Sequence, residues 1–386
     1  MKISRISAYV VELPRGGTFR MSGGRGSSVW DSTVVVVETD TGLKGLGEVC
    51  PLGATYIPAY AAGARTGMAL IAPNLIGADP CELEAINRRM DGLLKGHPYV
   101  KSALDIACWD ILGQASGLPL VTLLGGRFRK TVPLYQVLSF DTPAAMAAQL
   151  RGARAKGYRA FQAKVGGDVA TDIARIRALA AAARPGDRLI CDANGGWIGH
   201  EAARVVRAVR DLDIFIEQPC ATYEACLTIR RRTDRPFILD ESIDSIPAVL
   251  RAHADGAMDG VNLKISKFGG LTRARQFRDL CVALGVPMTI EEAGGGNVAA
   301  AAVAAFAQST PEPFHLSTSN SYFEMERNIA FGAPAIKDAA VSASDRPGLG
   351  LTLRPGALGE PFLDTGASLA RPRSRPRRSG RTRPGR

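Results

Sequence analysis

Between residues 158 and 267 the chain repeats one pattern of apolar and polar positions five times. Each repeat is a short apolar, strand-like run that ends in a charged side chain, followed by a segment with helical composition and spacing. Successive charged ends are 28, 25, 23 and 24 residues apart, which is about the length of one strand, one helix and two short loops. The five predicted strands end at Lys164, Asp192, Glu217, Asp240 and Lys264.

A strand–helix repeat of this length predicts a parallel α/β barrel, in which the carboxyl ends of all strands lie at one face. Catalytic groups of such barrels lie at that face. If residues 132–138 form the first barrel strand, Lys164 ends the second strand and Lys264 ends the sixth. The second and sixth strands of an eight-stranded ring are diametrically opposed, so we expect the two lysines to face each other.

Three of the charged ends are carboxylates on consecutive predicted strands, namely Asp192, Glu217 and Asp240. A single carboxylate at such a position is usually a helix cap. Three in consecutive units, flanked by lysines, indicate instead a shared site. All donors are oxygens, without histidine or cysteine, and this favours Mg²⁺ over zinc.

Residues 1–125 have a different pattern, which predicts an α+β domain ahead of the barrel. Alternating apolar and polar positions predict a small antiparallel sheet, and three segments of helical pattern follow it. We assign the barrel to residues 126–318 and expect residues 319–369 to return and complete the first domain. The predicted fold class is therefore α/β, a TIM-like barrel with an N-terminal α+β capping domain. The strands of the small sheet are predicted at residues 3–13, 32–38 and 45–50.

Two loops of the first domain are candidates to cover the barrel mouth and exclude water from it. Residues 16–26 are rich in glycine, too flexible for a core and long enough for a lid. An exposed linker is the alternative interpretation of this segment. The second loop, residues 50–58, carries Tyr56, which either packs against its neighbours or contacts the substrate.

The net charge of +11 would indicate nucleic-acid binding if it were spread over the whole chain. Residues 371–386, however, hold eight arginines and no acid, so the rest of the chain carries 11 − 8 = +3. We expect residues 370–386 to be a disordered, Arg- and Pro-rich tail. Such a tail attracts nucleic acid only non-specifically and takes no part in the chemistry.

Composition sets the remaining limits. At 386 residues and 46% hydrophobic content, the chain is long enough for two domains. No stretch approaches the roughly 18 uncharged apolar residues of a membrane-spanning helix, and the first residues lack the apolar region of a signal peptide. We therefore predict a soluble, cytoplasmic protein. Its seven cysteines are odd in number and lack CxxC spacing, which argues against a disulfide or zinc framework.

A set of short motifs at the strand ends resembles the enolase superfamily, specifically its muconate-lactonizing-enzyme branch. The resemblance covers residues 1 to about 365 and implies a capping α+β domain on a modified (β/α)₇β barrel. It also implies Mg²⁺ on Asp192, Glu217 and Asp240, with Lys164 and Lys264 as acid/base catalysts. The motifs are Lys164-Val-Gly-Gly167, Asp192-Ala-Asn194, Ile216-Glu-Gln-Pro219, Leu239-Asp-Glu-Ser242, Asn262-Leu-Lys264 and Gly269-Gly-Leu271.

One residue departs from the family pattern. The second strand of this family usually ends in Lys-x-Lys, and here Gln162 stands in place of the first lysine. A nearby cation helps to keep Lys164 deprotonated, so its absence leaves that task to desolvation and the metal. Lowering a lysine pKa from about 10.4 to a working range of about 7 to 8 requires some 3 to 5 kcal/mol.

Other polar residues near the strand ends are also candidates for the site. Glu241 is expected to support the metal ligands by hydrogen bonding, and Asn194 either does the same or contacts the substrate. Lys267 is expected to be a solvated surface charge. The four histidines do not cluster, so none is assigned as a base. The candidate substrate contacts are Tyr56, Gln162, Asn194, Glu291 and Glu292.

These parts define a half-reaction on a carboxylate substrate. One lysine takes the α-proton, and the charge moves onto the carboxylate oxygens as an enediolate that Mg²⁺ stabilises. Return of a proton by the opposite lysine gives racemisation or epimerisation. Loss of a leaving group from the β-carbon gives dehydration or cycloisomerisation.

First-domain segments such as Ser22-Gly-Gly-Arg25 and Tyr56-Ile-Pro-Ala59 resemble members that act on proline derivatives. These members are the cis-3-hydroxy-L-proline dehydratases and the epimerases of proline betaine or hydroxyproline betaine. Racemases, cycloisomerases and acid-sugar dehydratases of the same superfamily, acting on other carboxylates, remain alternatives. A betaine would require an aromatic cage for its quaternary ammonium group, for which the candidates are Trp30, Tyr56, Trp197 and Phe323.

Two readings from other functional classes remain open. Residues 294–299 satisfy the dinucleotide fingerprint G-x-G-x-x-A after a predicted strand, which would fit an NAD-dependent dehydrogenase. That domain needs further βαβ units, and the pattern stops soon afterwards. The other reading is a non-catalytic protein that binds polyanions through its basic tail. For the enzyme we expect a small-molecule carboxylate substrate and a homo-oligomeric assembly.

Overall fold

The computed structural model describes residues 1–366, and the tail predicted at residues 370–386 lies outside the described residues. The chain begins with an antiparallel sheet in the order β1-β2-β3, followed by three helices. This is the α+β arrangement that the alternating pattern predicts. The elements are β1 (Ile3–Arg20), β2 (Gly26–Thr39), β3 (Lys44–Val49), α1 (Ala61–Ile71), α2 (Leu83–Leu93) and α3 (Pro98–Ser116).

Strand β2 contributes to two hydrophobic cores, because successive side chains of a strand point to opposite faces. Val35 and Val37 pack with the helices of the first domain, whereas Val34 and Val36 pack with the core that extends into the barrel. A Cβ at Gly47 would lie 1.7 Å from the carbonyl oxygen of Ala103. Glycine at this position therefore allows α3 to lie directly on β3.

The prediction of a flexible loop at residues 16–26 is wrong. Strand β1 extends to Arg20, a short 3₁₀ turn occupies Ser22–Gly24, and β2 begins at Gly26. Backbone pairing between β1 and β2 stabilises this hairpin, and glycine content alone does not reveal such pairing. The hairpin nevertheless reaches the barrel mouth, since Met21 lines a cavity there.

The connection to the second domain carries α4 (Leu120–Leu123) and β4 (Val132–Pro133). Eight parallel strands then follow one another around a sheet in sequence order. The strands are β5 (Tyr135–Leu138), β6 (Ala160–Lys164), β7 (Arg188–Asp192), β8 (Phe215–Glu217), β9 (Phe237–Leu239), β10 (Gly260–Lys264), β11 (Met288–Glu291) and β12 (His315–Thr318). The helices that alternate with them are α5 (Pro143–Ala155), α6 (Val169–Ala182), α7 (Gly199–Ala208), α8 (Tyr223–Arg230), α9 (Ile246–Ala254), α10 (Ile265–Phe268), α11 (Leu271–Ala283) and α12 (Asn297–Gln308).

The sheet nearly closes into a barrel. A parallel bridge joins Tyr135, at the start of the first barrel strand, to Ser319, just after the last. The strand–helix order and the near closure confirm the predicted TIM-like barrel with a separate capping domain. The side chains at the carboxyl ends of the strands therefore meet at one face, which faces the first domain.

The segment after the barrel contacts both domains. Its strands are β13 (Ala330–Phe331), β14 (Ala340–Val341), β15 (Thr352–Leu353) and β16 (Leu363–Asp364). Strand β14 pairs with β4, and β16 pairs with β1 at the edge of the first-domain sheet. The domain limits at residues 125 and 318 stay predictions. No helix within residues 1–366 has the length and apolar character needed to cross a bilayer.

Two buried carboxylates of the first domain bond to helix N-termini of the barrel. Asp105 accepts hydrogen bonds from the backbone amide of Thr272 at 3.0 Å and from its hydroxyl at 2.6 Å, in the first turn of α11. Glu48 accepts from the amides of Gly296 at 2.8 Å and Ala299 at 3.0 Å, at the start of α12. The amides that would bind a dinucleotide pyrophosphate are thus already bonded to a carboxylate. The dehydrogenase reading loses its support.

Asp105 gives this junction a pH dependence. Burial raises the pKa of Asp105 from 3.8 to about 6, against hydrogen bonds from Thr272 and Asn87 that lower it. Because the folded pKa is raised, the proton on Asp105 stabilises the fold fully below pH 4, and this contribution is lost as the pH rises through 6. At roughly 1.36 kcal/mol per pKa unit the loss is about 3 kcal/mol.

We therefore expect Asp105→Asn, which does not titrate, to gain about 2 kcal/mol of unfolding free energy relative to the wild type between pH 4.5 and pH 7.5, since part of the total is already lost at pH 4.5. Urea unfolding of both proteins at the two pH values measures this difference, and other titrating groups cancel. An equal difference at both pH values would show that Asp105 does not titrate in this window.

Candidate active site

The predicted catalytic and metal-binding side chains lie together at the carboxyl face of the barrel. Lys164, Asp192 and Glu217 are the last residues of β6, β7 and β8, and each is the register partner of the next. Asp240 directly follows β9, and Lys264 ends β10. Each of the five side chains is buried, with 5% or less of its surface exposed. The strand ends therefore bring all five into one buried cluster.

Both lysines are bonded to carboxylates. The Nζ atom of Lys164 lies 2.5 Å from Oδ2 of Asp192. That of Lys264 forms a short ion pair with Asp240 and lies 3.1 Å from Oε1 of Glu291. Burial by itself lowers a lysine pKa, but the carboxylates outweigh it and raise the pKa of both amines, that of Lys264 well above its ordinary value. Either amine can act as a base only after it leaves these carboxylates.

Glu217 is a buried carboxylate held by neutral amides. The side-chain amide of Gln162 donates to its Oε2 at 2.9 Å, and that of Asn262 donates to its Oε1 at 3.1 Å. Burial raises the pKa of Glu217 well above its usual value, and the neighbouring Asp192 and Asp240 raise it further. Gln162, which replaces the family lysine, thus supplies a hydrogen bond without a positive charge.

Asp240 has three side-chain partners. Besides Lys264, these are the hydroxyl of Tyr56, at 3.1 Å from Oδ2, and the Nζ atom of Lys267, at 3.0 Å from Oδ1. Burial would raise the pKa of Asp240, but the two lysines lower it below its usual range. Tyr56 therefore reaches from the first domain to a predicted metal ligand.

The prediction that Lys267 is a solvated surface charge is wrong. The residue is 7% exposed, and its amine also donates to the backbone oxygens of Asp240 at 2.9 Å and Asn262 at 3.0 Å. The strand ends at Lys264 and a helical turn, α10, begins at the next residue. Residues three apart in such a turn lie on the same side, so Lys267 turns back toward the cluster.

Asn194 and Glu241 lie beside the predicted metal ligands. The backbone and side-chain amides of Asn194 donate to the two oxygens of Asp192, at 2.8 and 2.9 Å, and its side chain also donates to Glu241 at 3.1 Å. Asn194 has a positive φ of 45°, a conformation that asparagine tolerates better than most residues. Burial, with Asp240 and Asp192 nearby, raises the pKa of Glu241 to about 8.

The donor set fits a divalent hard cation. The cluster combines six carboxyl groups with three amines, and burial beside other carboxylates raises the pKa of Glu217 and Glu241, an effect that a bound cation would offset. Three buried oxygens have no hydrogen-bond partner within residues 1–366, namely Oδ1 of Asn194, Oε2 of Glu241 and Oδ1 of Asn262. Oxygen donors of this kind are the ligands that Mg²⁺ prefers. The carboxyl groups are Asp192, Glu217, Asp240, Glu241, Glu291 and Glu292, and the amines are Lys164, Lys264 and Lys267.

The conformation described is nevertheless one in which the carboxylates are engaged by protein groups. In the part of the chain that the structure describes, no three His, Cys, Asp or Glu side chains are gathered as ligands of one ion. Lys164, Lys264 and Tyr56 bond to the oxygens that a cation would require. A cation would have to displace these partners, and doing so would free both amines from their carboxylates.

Two glutamates at the end of β11 have different surroundings. Glu291 accepts a short hydrogen bond from the hydroxyl of Tyr135 and one of 2.9 Å from Asn262, beside its ion pair with Lys264. Glu292 accepts from the backbone amide and the hydroxyl of Ser266, at 2.7 and 2.5 Å. Burial raises the pKa of Glu292 to about 7. Glu291 thus orients a lysine, whereas Glu292 caps α10.

A cavity of about 30 Å³ lies above this cluster, and both Lys164 and Lys264 line it. Of the candidate substrate contacts, Tyr56, Gln162, Glu291 and Glu292 line it too, whereas Asn194 does not. Sequence reasoning missed several lining residues. The inward alternation of Tyr135 and Val137 along the first barrel strand would have identified two of them. The other lining residues are Met21, Trp30, Leu52, Ala293, Ser319 and Ser321.

The four aromatic residues considered for a cage do not form one. Protein cations already lie over the two that line the cavity: Arg15 lies 4.3 Å from the ring centre of Trp30, and the Lys264 amine lies 5.4 Å from that of Tyr56. Trp197 is 1% exposed and donates to Asp172. Phe323 packs against Tyr322, with their ring centres 5.0 Å apart.

Comparisons with known proteins agree with this architecture. Residues 8–125 match the family model for the mandelate racemase / muconate lactonizing enzyme N-terminal domain, and residues 145–357 match the enolase C-terminal domain-like model. A cis-3-hydroxy-L-proline dehydratase of Roseibium aggregatum is 52% identical over 94% of this chain and 99% of the relative. An N-succinyl-L-Arg/Lys racemase of Bacillus cereus is 30% identical over 93% of this chain and 98% of the relative.

Comparison with solved structures also indicates the enolase superfamily. A member of the enolase superfamily from Roseovarius nubinhibens, complexed with magnesium, superposes with a TM-score of 0.89 at 40% identity, over 94% of this chain and 99% of that one. Magnesium use is typical of this family. Both domain matches, the barrel and the relatives show that the chain is an enzyme of the mandelate racemase/muconate lactonizing enzyme type within the enolase superfamily.

Proposed function

We propose that this enzyme removes water from cis-3-hydroxy-L-proline by taking the α-proton and the β-hydroxyl from opposite faces of the ring. The observation that carries the proposal is that Lys164 and Lys264, at the ends of the second and sixth barrel strands, line one cavity. The 52% identity to a dehydratase of this substrate supports it.

The stereochemistry of the substrate fits two opposed amines. In cis-3-hydroxy-L-proline the carboxylate and the hydroxyl lie on one face of the ring, so the α-hydrogen lies on the face opposite to the hydroxyl. Eliminating both groups therefore requires a base on one side and an acid on the other. Lys164 and Lys264 supply one group for each side.

The elimination balances with these two lysines. One lysine, as a neutral amine, takes the proton from C2, and the electrons of the broken C–H bond move first onto the substrate carboxylate and then form the C2=C3 double bond. The C3–O bond breaks, and the leaving oxygen takes a proton from the ammonium group of the other lysine and departs as water. The cyclic enamine then tautomerises to the imine. Exchange with solvent restores the two lysines.

The residues that would hold Mg²⁺ are Asp192, Glu217 and Asp240. When bound there, the ion supplies charge stabilisation to the substrate carboxylate as the α-proton leaves. Gln162 and Asn262 fix the Glu217 carboxylate from two sides, and Lys267 fixes Asp240. These partners orient the ligands before any ion arrives.

The cavity suits a secondary amine better than a betaine. The carboxylates of Glu291 and Glu292 line its wall and complement a protonated ring nitrogen. A quaternary ammonium group would instead need free aromatic faces, and Arg15 and Lys264 lie over the rings of Trp30 and Tyr56. The charges therefore favour 3-hydroxyproline over the proline betaines.

We expect cis-3-hydroxy-L-proline to lose water at least 10²-fold faster than trans-3-hydroxy-L-proline, in which the α-hydrogen and the hydroxyl share a face and a single lysine would have to serve both. Proline betaine should keep its α-hydrogen. Incubation of each compound with enzyme and Mg²⁺ in D₂O, followed by NMR, measures elimination and α-exchange together. Equal elimination from the cis and trans isomers, or inversion of the betaine, would contradict the proposal.

The same two amines also support epimerisation as a second activity. A proline without a leaving group can lose its α-proton to one lysine and receive another from the opposite lysine. L-Proline in D₂O would then acquire deuterium and invert. A homo-oligomeric assembly and a cytoplasmic location stay predictions from the sequence.

A further inference from the structure

Two cavities adjoin each other at the barrel mouth. The inner one, of about 30 Å³, holds both lysines, and the outer one, which we name the vestibule, has about 550 Å³. Four residues, Met21, Trp30, Leu52 and Tyr56, line both cavities, and we call these four residues the wall. Since a water needs some 10 to 15 Å³, the inner cavity has room for about two waters. A pyrrolidine carboxylate is larger than this space and therefore fits only if residues around the inner cavity move.

Arg25 joins the segments that carry this wall. Its guanidinium donates to the carbonyl oxygen and the hydroxyl of Ser22, at 3.0 and 2.7 Å, within the β1–β2 hairpin. It also donates to the carbonyl oxygen of Thr55, at 3.2 Å, in the loop that carries Tyr56. A fourth bond, of 3.0 Å, reaches the carbonyl oxygen of Asn194 in the barrel. One side chain therefore connects two loops of the first domain to the barrel.

The barrel end of this connection is next to the predicted metal site. Asn194 donates its backbone and side-chain amides to the two oxygens of Asp192. The backbone of Asn194 is in the left-handed conformation, with φ at 45°. Arg25 bonds to the carbonyl oxygen of Asn194. Movement of Arg25 would therefore alter the residue that orients Asp192.

The four acceptors of Arg25 are neutral oxygens. Hydrogen bonds from an arginine to neutral acceptors are weaker than those to a carboxylate, so the contact can break and form again within a catalytic cycle. Tyr56 lies on the same side, with its ring centre 6.0 Å from the guanidinium carbon. Releasing Arg25 would free both the hairpin tip and the Tyr56 loop.

We propose that Arg25 is a positioning residue that latches the wall shut and couples its closure to the orientation of Asp192 through Asn194. The inference rests on the proposed function in taking the inner cavity as the reaction chamber. Closing the latch excludes water from the amines and completes the support of a ligand carboxylate, so that the site becomes competent only when the wall is closed.

Hydrogen–deuterium exchange of the magnesium-loaded enzyme, without substrate, tests the coupling. In Arg25→Ala we expect amides in residues 20–27, 52–56 and 193–196 to exchange about tenfold faster or more, with the barrel strands unchanged. Arg65→Ala is the matched control, because Arg65 bonds to Asp31, Ser32 and Thr33 within the first domain. It should leave residues 193–196 unchanged. Unchanged exchange at residues 193–196 in Arg25→Ala would overturn the coupling.

Kinetics add a second readout. Arg25→Ala should lower kcat/KM for cis-3-hydroxy-L-proline about tenfold or more, through a higher KM and a lower kcat together. Arg25→Lys keeps the charge but lacks the planar set of donors, so its kcat/KM should lie between those of the wild type and Arg25→Ala. Full activity in Arg25→Ala would overturn the latch. The exchange measurement uses no substrate. It would therefore still test the coupling if the enzyme proved not to act on cis-3-hydroxy-L-proline.

Discussion

Replacement of either Lys164 or Lys264 by alanine is expected to lower the rate of water loss from cis-3-hydroxy-L-proline by about 10²- to 10⁴-fold, because each amine carries one of the two proton transfers. The two variants should differ in D₂O. The variant that lacks the base should lose both α-hydrogen exchange and elimination. The variant that lacks the acid should keep α-exchange and lose elimination. NMR of the recovered substrate distinguishes the two outcomes.

Controls separate lost chemistry from a collapsed site. Lys164→Gln and Lys264→Gln keep much of the side-chain volume and can still bond to Asp192 and Asp240, so they should fold even where the alanine variants do not. Lys44→Ala, which removes a surface ion pair with Glu38, should keep full activity. Wild-type elimination by either glutamine variant would remove that lysine from the mechanism.

Replacement of Glu217 by glutamine is expected to reverse the response of stability to magnesium. In EDTA the variant should melt at a higher temperature than the wild type, because the wild type must either bury a negative charge beside Asp192 and Asp240 or take up a proton at Glu217. With Mg²⁺ the wild type should gain stability, by about 2.7 kcal/mol at a hundredfold excess over Kd, whereas the variant should gain little. Thermal melts of both proteins with EDTA and with Mg²⁺ measure the effect.

Two further measurements make this test specific. Glu360→Gln changes an exposed carboxylate and should behave as the wild type under both conditions. Calorimetric titration of Mg²⁺ should show at least 10²-fold weaker binding to Glu217→Gln. If Glu217→Gln bound the ion and were stabilised by it like the wild type, Glu217 would not be a ligand.

The strand ends of the barrel were predictable because local periodicity determines them. An apolar run that ends in a charge places that charge at the carboxyl edge of a parallel strand, so Lys164, Asp192, Glu217, Asp240 and Lys264 could be placed before any contact was known. The barrel followed from the same repeat, and the alternating pattern of residues 1–125 predicted the capping domain. The predicted barrel strands agree closely with those of the structure, because each strand–helix unit is short and its sequence signals are local.

The contacts between the domains could not be predicted in this way. The bonds from Tyr56 to Asp240 and from Arg25 to Asn194 join residues that are 184 and 169 positions apart, and no periodic pattern links them. The buried position of Lys267 could not be predicted either, because α10 has only four residues and so short a helix has no distinct sequence pattern. The hairpin at residues 16–26 is stabilised by backbone pairing, which composition does not report.

The most direct test of the central claim is a crystal structure of the enzyme with Mn²⁺ and L-proline, which has no β-hydroxyl to eliminate, with the ion located by its anomalous signal. We expect one ion bonded to the carboxylates of Asp192, Glu217 and Asp240. We also expect the amines of Lys164 and Lys264 on opposite faces of the bound ring, each within reach of the α-carbon. An ion held by other residues, or both amines on one face of the ring, would contradict it.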